Sequence, residues 1–140
     1  MELKQPHFAA GCFARIFQKK RVGVKKLTDE NECEKTLKIR FLNDQFRQTF
    51  QEGKVLITSG VASLPLSLQI TLMNLVRTFD DFGEDNDPFG EHDFGKIDFN
   101  GEPYFWKIDY YDSDLLGYSP DPTDETVTNR VLTVMRADEY

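Results

Sequence analysis

The dipeptide Asn100-Gly101 most constrains how this chain can fold. It stands between two runs in which apolar and polar residues alternate, at about residues 93–99 and 104–111. Asn-Gly is the strongest short signal for a β-hairpin, because both of its residues accept the positive φ angles that a two-residue turn needs. We therefore expect two antiparallel strands joined at this point.

A hairpin loop of even length decides which side chains share a face. With two loop residues His92 lies opposite Asp109, and with four it lies opposite Tyr111, but both loops give the same two faces. The predicted outer face carries His92, Phe94, Lys96, Asp98, Phe105, Lys107, Asp109 and Tyr111. The predicted core face carries Asp93, Gly95, Ile97, Phe99, Tyr104, Trp106, Ile108 and Tyr110. Gly95 leaves room there for the indole of Trp106.

A first amphipathic helix is predicted over about residues 34–50, because apolar residues recur there at helical spacing. Its stripe consists of Ile39, Leu42, Phe46 and Phe50. Gly53 ends this helix. The sequence "KVLIT" that follows predicts a buried strand, bounded by Ser59 and Gly60.

A second helix is predicted to begin at Ser63, with Pro65 in its first turn, and to reach about Phe82. Its apolar residues are Leu68, Leu72, Leu75 and Phe79, broadened by Leu66, Ile70, Met73 and Val76. This breadth predicts a central helix covered on more than one side. Near the C-terminus, "RVLTVMRA" predicts a last strand.

The order of these elements predicts an α+β fold, a two-layer sandwich with two main helices on one face of a mostly antiparallel sheet of about four strands. A chain of 140 residues fits one hydrophobic core. We expect residues 33–140 to form that single domain. Residues 1–32 are expected to form a basic N-terminal arm, of low order or partly helical.

The charges of the chain are segregated. Residues 1–26 hold seven Lys or Arg and one Glu, whereas residues 80–125 hold fifteen Asp or Glu and two Lys. The formal net charge is −7. An acidic region of this density repels nucleic-acid phosphate and favours cationic partners, although solubility alone explains many such surfaces.

Cys12 and Cys33 have neither CxxC spacing nor a nearby histidine, so we interpret both as free thiols in a reducing cytoplasm. The longest apolar stretch, "LPLSLQITLMNLV", is too short for a membrane span and is interrupted by polar residues. We expect a cytoplasmic protein with no membrane contact and no cofactor.

His92 beside Asp109 is a candidate general base, since a carboxylate fixes the histidine tautomer and raises its basicity. Lys107 is a third candidate, and hydrolysis of a phosphoester or acyl bond is the matching reaction class. No nucleophile motif accompanies these residues, and an ordinary cross-strand polar network is the preferred explanation for them. We therefore commit no catalytic residue.

A divalent metal is the other chemical alternative. Its ligands would be His92 with carboxylates from Glu91, Asp93, Asp109, Asp112 or Asp114. Oxygen-rich loops suit Mg²⁺ or Ca²⁺, but "DNDPFGEH" fails the EF-hand pattern because Phe89 occupies its fifth position. No metal ligand is committed.

Several longer motifs point to a family. The segments "NDPFGEHDFG", "WKIDYYD", "DPTDETVTNRVLTVMRADEY", "LNDQFRQTF" and "VLITSGV" resemble the bacterial domain of unknown function 3768, met mainly in proteobacteria and their plasmids. The likeness spans about residues 39–140 and departs from the family pattern at Arg136 and in "YSPDPTDE". The resemblance implies a setting on mobile DNA and supplies no catalytic residues.

The leading hypothesis is a small acidic non-enzymatic binding protein that engages a basic protein surface. One form of it is an inhibitor of a bacterial nucleic-acid-handling defence complex, of anti-CRISPR or antirestriction type, carried by a mobile element. The expected partner-binding residues are Phe89, Glu91, His92, Asp93, Asp109, Tyr111, Asp112, Asp114, Tyr118, Asp121 and Asp124. Tyr110 is a further aromatic candidate.

Two alternatives belong to other classes of function. One is a small hydrolase or divalent-metal-dependent enzyme centred on His92 and Asp109. The other is a nucleic-acid binder that uses the basic arm while the acidic body stays clear of the phosphates.

Overall fold

The computed structural model describes residues 23–140, and their side chains from residue 30 onward. The elements, in chain order, are helix α1 (Gly23–Thr49), strand β1 (Gly53–Ile57), helix α2 (Ser59–Ala62), helix α3 (Leu66–Arg77), strands β2 (Phe94–Phe99), β3 (Glu102–Tyr111) and β4 (Asn129–Arg136), and a 3₁₀ helix (Ala137–Glu139). The predicted α+β class is confirmed. Residues 1–22 of the predicted arm lie outside the described part.

The four strands form one mixed sheet in the order β1-β4-β3-β2. Strands β2, β3 and β4 pair antiparallel, whereas β1 pairs parallel with β4 at the edge of the sheet. Residues of α1 and α3 pack against one face and build the core with it. Among the described residues, no α-helix contributes to the core from the other face, which is called here the helix-free face. The short 3₁₀ helix borders that face through Glu139.

The hairpin forms as predicted. Phe99 pairs with Glu102, so the loop consists of Asn100 and Gly101, which have φ angles of 52° and 78°. Trp106 is fully buried opposite Gly95. A Cβ atom at residue 95 would lie 2.4 Å from the indole Nε1, so only glycine fits there.

Both helices differ in extent from the prediction. Helix α1 begins at Gly23 and not near residue 34, so residues 23–32 continue the same helix. The predicted central helix ends at Arg77, and it is half exposed rather than covered on several sides. Leu66 and Ile70 face solvent, with 70% and 55% of their surface exposed, whereas Leu72 and Val76 are buried.

Strand β1 was predicted to be buried, and this is wrong. It is the edge strand, so it has a neighbour on one side only, and Leu56 and Ile57 are 52% and 40% exposed. The presence of a strand at this position was correctly predicted, but the sequence does not reveal which strand ends a sheet. Among the described residues, no helix is long and apolar enough to cross a membrane.

Candidate functional site

The His92 and Asp109 side chains have different partners, so the candidate pair of these two residues does not form. His92 has a φ angle of 55°, which lies outside the extended region and ends the alternation that the prediction assumed. Its imidazole ring turns to the helix side and stacks on Phe82, with ring centroids 3.7 Å apart. Asp109 lies on the helix-free face and pairs with Lys107 at 2.9 Å.

The partner of His92 is Asp44 of α1. Histidine Nδ1 lies 2.9 Å from each carboxylate oxygen, and Arg47 donates from Nη2 to the same carboxylate at 2.8 Å. Burial opposes ionisation of this carboxyl, but the hydrogen bonds from His92 and Arg47 outweigh it and lower the pKa of Asp44. The group is therefore an ion-paired carboxylate and not a proton donor near neutral pH.

Arg47 is only 2% exposed and anchors several elements at once. Its Nη1 donates to the carbonyls of Val76 and Arg77 at 3.0 Å each, in the last turn of α3, where carbonyls lack full intrahelical partners. Its guanidinium also lies 5.3 Å from the ring centre of Trp106. The arginine thus binds α1, α3 and the sheet together.

Asp87 supports His92 from the other side. One carboxylate oxygen accepts the backbone N–H of His92 at 3.0 Å, and the other lies 3.7 Å from the ring Nε2. Burial is the largest influence here and raises the pKa of Asp87, whereas it is outweighed at Asp44. The two carboxyl groups around one histidine are thus shifted in opposite directions.

A second buried network continues from the first along α1. Asn43 is fully buried; it donates to the phenol oxygen of Tyr110 at 2.6 Å and accepts from Arg130 Nε at 2.8 Å. The Tyr110 hydroxyl donates to the carboxylate of Glu91 at 2.9 Å. Burial and the nearby Glu91 raise the pKa of Tyr110 well above its ordinary value, so the phenol stays protonated.

These networks hold the structure together and offer little to a substrate. The His92 side chain is 20% exposed, and its Nδ1 is bonded to Asp44. Within residues 30–140, no group of three or more His, Cys, Asp or Glu side chains is arranged to hold a metal ion. The metal alternative, with His92 and the carboxylates of Glu91, Asp93, Asp109, Asp112 or Asp114, is not assembled among them.

The helix-free face of the sheet forms an open cleft of about 700 Å³. Its walls are lined by Lys54, Leu56, Thr58, Lys107, Asp109, Tyr111, Leu115, Val131, Thr133, Met135, Glu139 and Tyr140. The hydrogen bond to Asp109 raises the pKa of Lys107, which keeps the lysine charged. Phe94 and Phe105 pack together beside the cleft, as predicted, and Tyr140 contacts both rings edge-on.

Residues 112–128, called here the acidic loop, connect β3 to β4 and border this cleft through Leu115. The segment holds Asp112, Asp114, Asp121, Asp124 and Glu125 and no Lys or Arg. Two of its large apolar side chains face solvent: Leu116 is 87% exposed and Tyr118 is 91% exposed. An exposed apolar pair on a segment with five carboxylates is the strongest candidate binding feature among the described residues.

Hydrogen bonds hold the acidic loop in one shape. Asp112 N–H donates to Gly117, Ser119 N–H donates to Tyr110, and the Ser119 and Thr128 hydroxyls lie 2.6 Å apart. Arg130 reaches from the buried network and donates to the Pro122 carbonyl at 2.6 Å. The loop is therefore pre-formed.

Two carboxylates of the acidic loop close local turns. Asp121 accepts from the hydroxyl and N–H of Thr123, and Asp124 accepts from those of Thr126. These hydrogen bonds lower the pKa of both aspartates. Both carboxylates stay charged at neutral pH, and each has oxygen valences left for a cationic partner.

The predicted partner-binding residues divide into three groups. Asp112, Asp114, Tyr118, Asp121 and Asp124 lie together on the acidic loop. Asp109 and Tyr111 line the cleft. The remaining four lie in or beside the buried networks: Phe89, Glu91, His92 and Asp93, of which Asp93 is 8% exposed. Of the aromatic candidates Phe89, Tyr110, Tyr111 and Tyr118, only Tyr118 is exposed.

Sequence reasoning missed Asn43, Asp44, Arg47, Asp87 and Arg130. A signal was present for two of them, because Asn43 and Arg47 follow Ile39 at spacings of four and are polar residues on the apolar stripe of α1. Polar residues in such positions are candidates for a buried network. Nothing local to Asp87 or Arg130 distinguishes them from surface residues.

Comparison with known proteins gives one match. Residues 57–139 match the family described as protein of unknown function (DUF3768). No curated protein and no solved structure matches the chain. The match covers β2, β3, β4 and the acidic loop. It leaves out α1 and therefore Asn43, Asp44 and Arg47.

Proposed function

This chain belongs to the DUF3768 family, and we propose that it is a non-enzymatic binding protein whose acidic loop engages a basic, partly apolar protein surface. The observation that carries this proposal is the exposure of Leu116 and Tyr118, 87% and 91%, on a segment with five acids and no base. Binding energy concentrates in a few apolar or aromatic anchors surrounded by complementary charge.

The rigidity of the acidic loop supports the same proposal. A loop that is already ordered loses little conformational entropy when a partner binds, so its few contacts yield more affinity. The hydrogen bonds of Asp112, Ser119 and Arg130 supply that order. They also leave Tyr118 outside, where burying its ring stabilises only a complex.

The finer form of this proposal names the partner as a nucleic-acid-handling defence complex. Such complexes carry Lys and Arg surfaces for phosphate, and a rigid carboxylate array competes for the same cations. The chain would then act as an inhibitor of anti-CRISPR or antirestriction type. Phage plating on a restricting host is the test: expression of the chain should raise the plaque count, and the Tyr118→Ala chain should not.

The binding test uses a defined probe, a synthetic peptide of alternating Lys and Leu. We expect Tyr118→Ala and Leu116→Ser each to raise its Kd about tenfold or more, since an anchor contributes about 2 kcal/mol. Asp112, Asp114, Asp121 and Asp124 changed together to Asn should weaken binding and reduce its salt dependence.

The matched control is Leu66→Ser, which removes another largely exposed leucine, 70% exposed, from α3. Its Kd for the peptide should equal that of the unaltered chain. Equal losses from Leu66→Ser and Leu116→Ser would show that the peptide adheres to any apolar surface. Unchanged binding in all the acidic-loop variants would contradict the proposal outright.

A further inference from the structure

Strand β1 presents an open edge. Among residues 23–140, the strand lies at the end of the sheet and pairs with β4 alone. Thr58 N–H donates to Val134, and backbone groups of alternate residues point to opposite sides of a strand. Leu56 and Lys54 therefore also direct their backbone groups to β4, whereas Gly53, Val55 and Ile57 direct theirs outward.

The opposite edge of the sheet carries charged side chains that discourage strand pairing, whereas the edge at β1 carries fewer of them. Strand β2 carries Lys96 and Asp98, which are exposed and lie 3.7 Å apart as an ion pair. Charged side chains on an edge strand discourage pairing with another strand. Strand β1 has one charge, Lys54, and no proline, while Leu56 and Ile57 are 52% and 40% exposed.

We propose that the outer edge of β1 pairs antiparallel with β1 of a second copy of this chain, joining the two sheets into one of eight strands. This inference goes beyond the proposed function and rests on other residues. A two-fold axis through Val55 places Gly53 opposite Ile57 and Lys54 opposite Leu56. Gly53, Val55 and Ile57 then meet their counterparts in hydrogen-bonded positions, giving about six backbone bonds.

Side chains fit this register. The Phe46 ring covers the side of Gly53 where a Cβ atom would stand, so Ile57 of the other copy would meet an apolar ring beside this glycine. Like charges do not face each other, because Lys54 lies across from Leu56. Lys54 has no ion pair within the described part of the chain. Its long side chain can reach diagonally toward Thr58 of the other copy. The Thr58 hydroxyl donates to the carboxylate of Glu139 at 2.7 Å, so a carboxylate lies next to that position.

The net charge of −7 per chain opposes any dimer, but this geometry limits the repulsion. The acidic loop precedes β4, so it lies at the Gly53 end of β1. Antiparallel pairing places the two acidic loops at opposite ends of the joined sheet. It also sets both clefts on the same face, because the two-fold axis is perpendicular to the sheet.

The test measures molar mass by sedimentation equilibrium over about two decades of protein concentration. The full chain should rise from 16.2 kDa toward twice that mass. Ile57→Pro removes an outward N–H without touching the bonds to β4, so it should stay at the lower mass. Ile57→Thr keeps the N–H and the β-branched shape, and it should still dimerise.

A charge exchange at one exposed site tests the register itself. Leu56→Lys places a second cation opposite Lys54 and should weaken the dimer about tenfold, whereas Leu56→Glu should match or strengthen it. Lys54→Glu combined with Leu56→Lys should restore dimerisation. Circular dichroism and a melting curve confirm that each variant folds.

Three outcomes would overturn this proposal. The first is a mass of 16.2 kDa at every concentration. The second is a dimer that Ile57→Pro and Leu56→Lys both leave intact, which would place the contact elsewhere. The third is equal weakening by Leu56→Lys and Leu56→Glu. Tyr118→Ala should leave the dimer unchanged, so failure here is distinguishable from failure of the proposed binding function.

Discussion

The two faces of the sheet carry similar charged residues, which are mostly buried on one face and partly exposed on the other. On the helix side, the carboxylate of Asp44 binds both Arg47 and His92 between the helices and the sheet. On the helix-free side, Lys107 and Asp109 form an equally short pair, but about a third of each side chain is exposed. The comparison shows that chemically suggestive groups are structural on one face, whereas the other face leaves its groups accessible.

The largest expected difference comes from removing one cation on each face. Arg47→Met leaves Asp44 with His92 as its remaining partner and removes the side-chain donor to the carbonyls of Val76 and Arg77, so we expect a loss of about 3–5 kcal/mol of stability. Lys107→Met breaks an exposed pair and should cost about 0–1 kcal/mol. Urea unfolding of both variants measures this, and equal losses would mean that the two faces do not differ as described.

A smaller difference is expected between two glycines. A Cβ atom at Gly95 would meet Trp106 at 2.4 Å, so Gly95→Ala should destabilise the fold by about 1–3 kcal/mol through overpacking. Gly83 has no atom within 4 Å of the same position, so Gly83→Ala should change stability by less than about 0.5 kcal/mol. Thermal melting distinguishes the two. A neutral Gly95→Ala would indicate that the indole has space to shift.

Asp44 and Asp87, both on the helix side, should contribute to the pH dependence of stability with opposite signs. The pKa of Asp44 is lowered from 3.8, so its charge stabilises the fold above that pH and the contribution is lost as the pH falls through the folded-state value. The pKa of Asp87 is raised from 3.8, so the protonated group is favoured by folding and stability is lost as the pH rises through its folded-state value.

Asn variants separate these two contributions. The stability advantage of the unaltered chain over Asp44→Asn should shrink on acidification below about pH 3.8. Relative to Asp87→Asn, the unaltered chain should instead gain stability on acidification toward pH 3.8. Unfolding free energies across this pH range give the measurement, and the same sign for both variants would refute the assignment.

The smallest expected effect on stability lies on the acidic loop. Tyr118→Ala should change the unfolding free energy by less than about 0.5 kcal/mol, since the ring is 91% exposed and buries nothing in the free protein. The same variant should lose peptide binding. A loss of stability comparable to that of Gly95→Ala would show that the ring packs in solution and does not serve as a free anchor.

Local sequence predicted the parts of the fold that local physics determines. The hairpin followed from Asn100-Gly101, because its turn requires two positive φ angles and few residues accept them. The burial of Trp106 followed from alternation and from Gly95 opposite it. Alternation failed at His92, where a non-glycine residue adopts a positive φ angle that its neighbours impose through Asp44, Asp87 and Phe82.

Other features depend on contacts distant in sequence. The sequence "KVLIT" does not indicate that its strand lies at an edge of the sheet. The position of this strand depends on how the later residues of α3 and the hairpin are placed in the fold. The acidic loop was correctly identified as a charged segment. Of its two most exposed apolar side chains, Tyr118 was a candidate from the sequence and Leu116 was not. Exposure of single side chains follows from how Arg130 and Ser119 fix the loop.

The parallel pairing of β1 with β4 has a consequence for how the chain folds. Thr58 and Val134, which close this ladder, are 76 positions apart, whereas the hairpin closes over neighbouring residues. Because distant contacts form slowly, we expect the hairpin to nucleate first and β1 to dock last. On the ribosome, β1 must wait for β4 to be synthesised, and hydrogen exchange should protect the Leu56 amide later in refolding than that of Trp106.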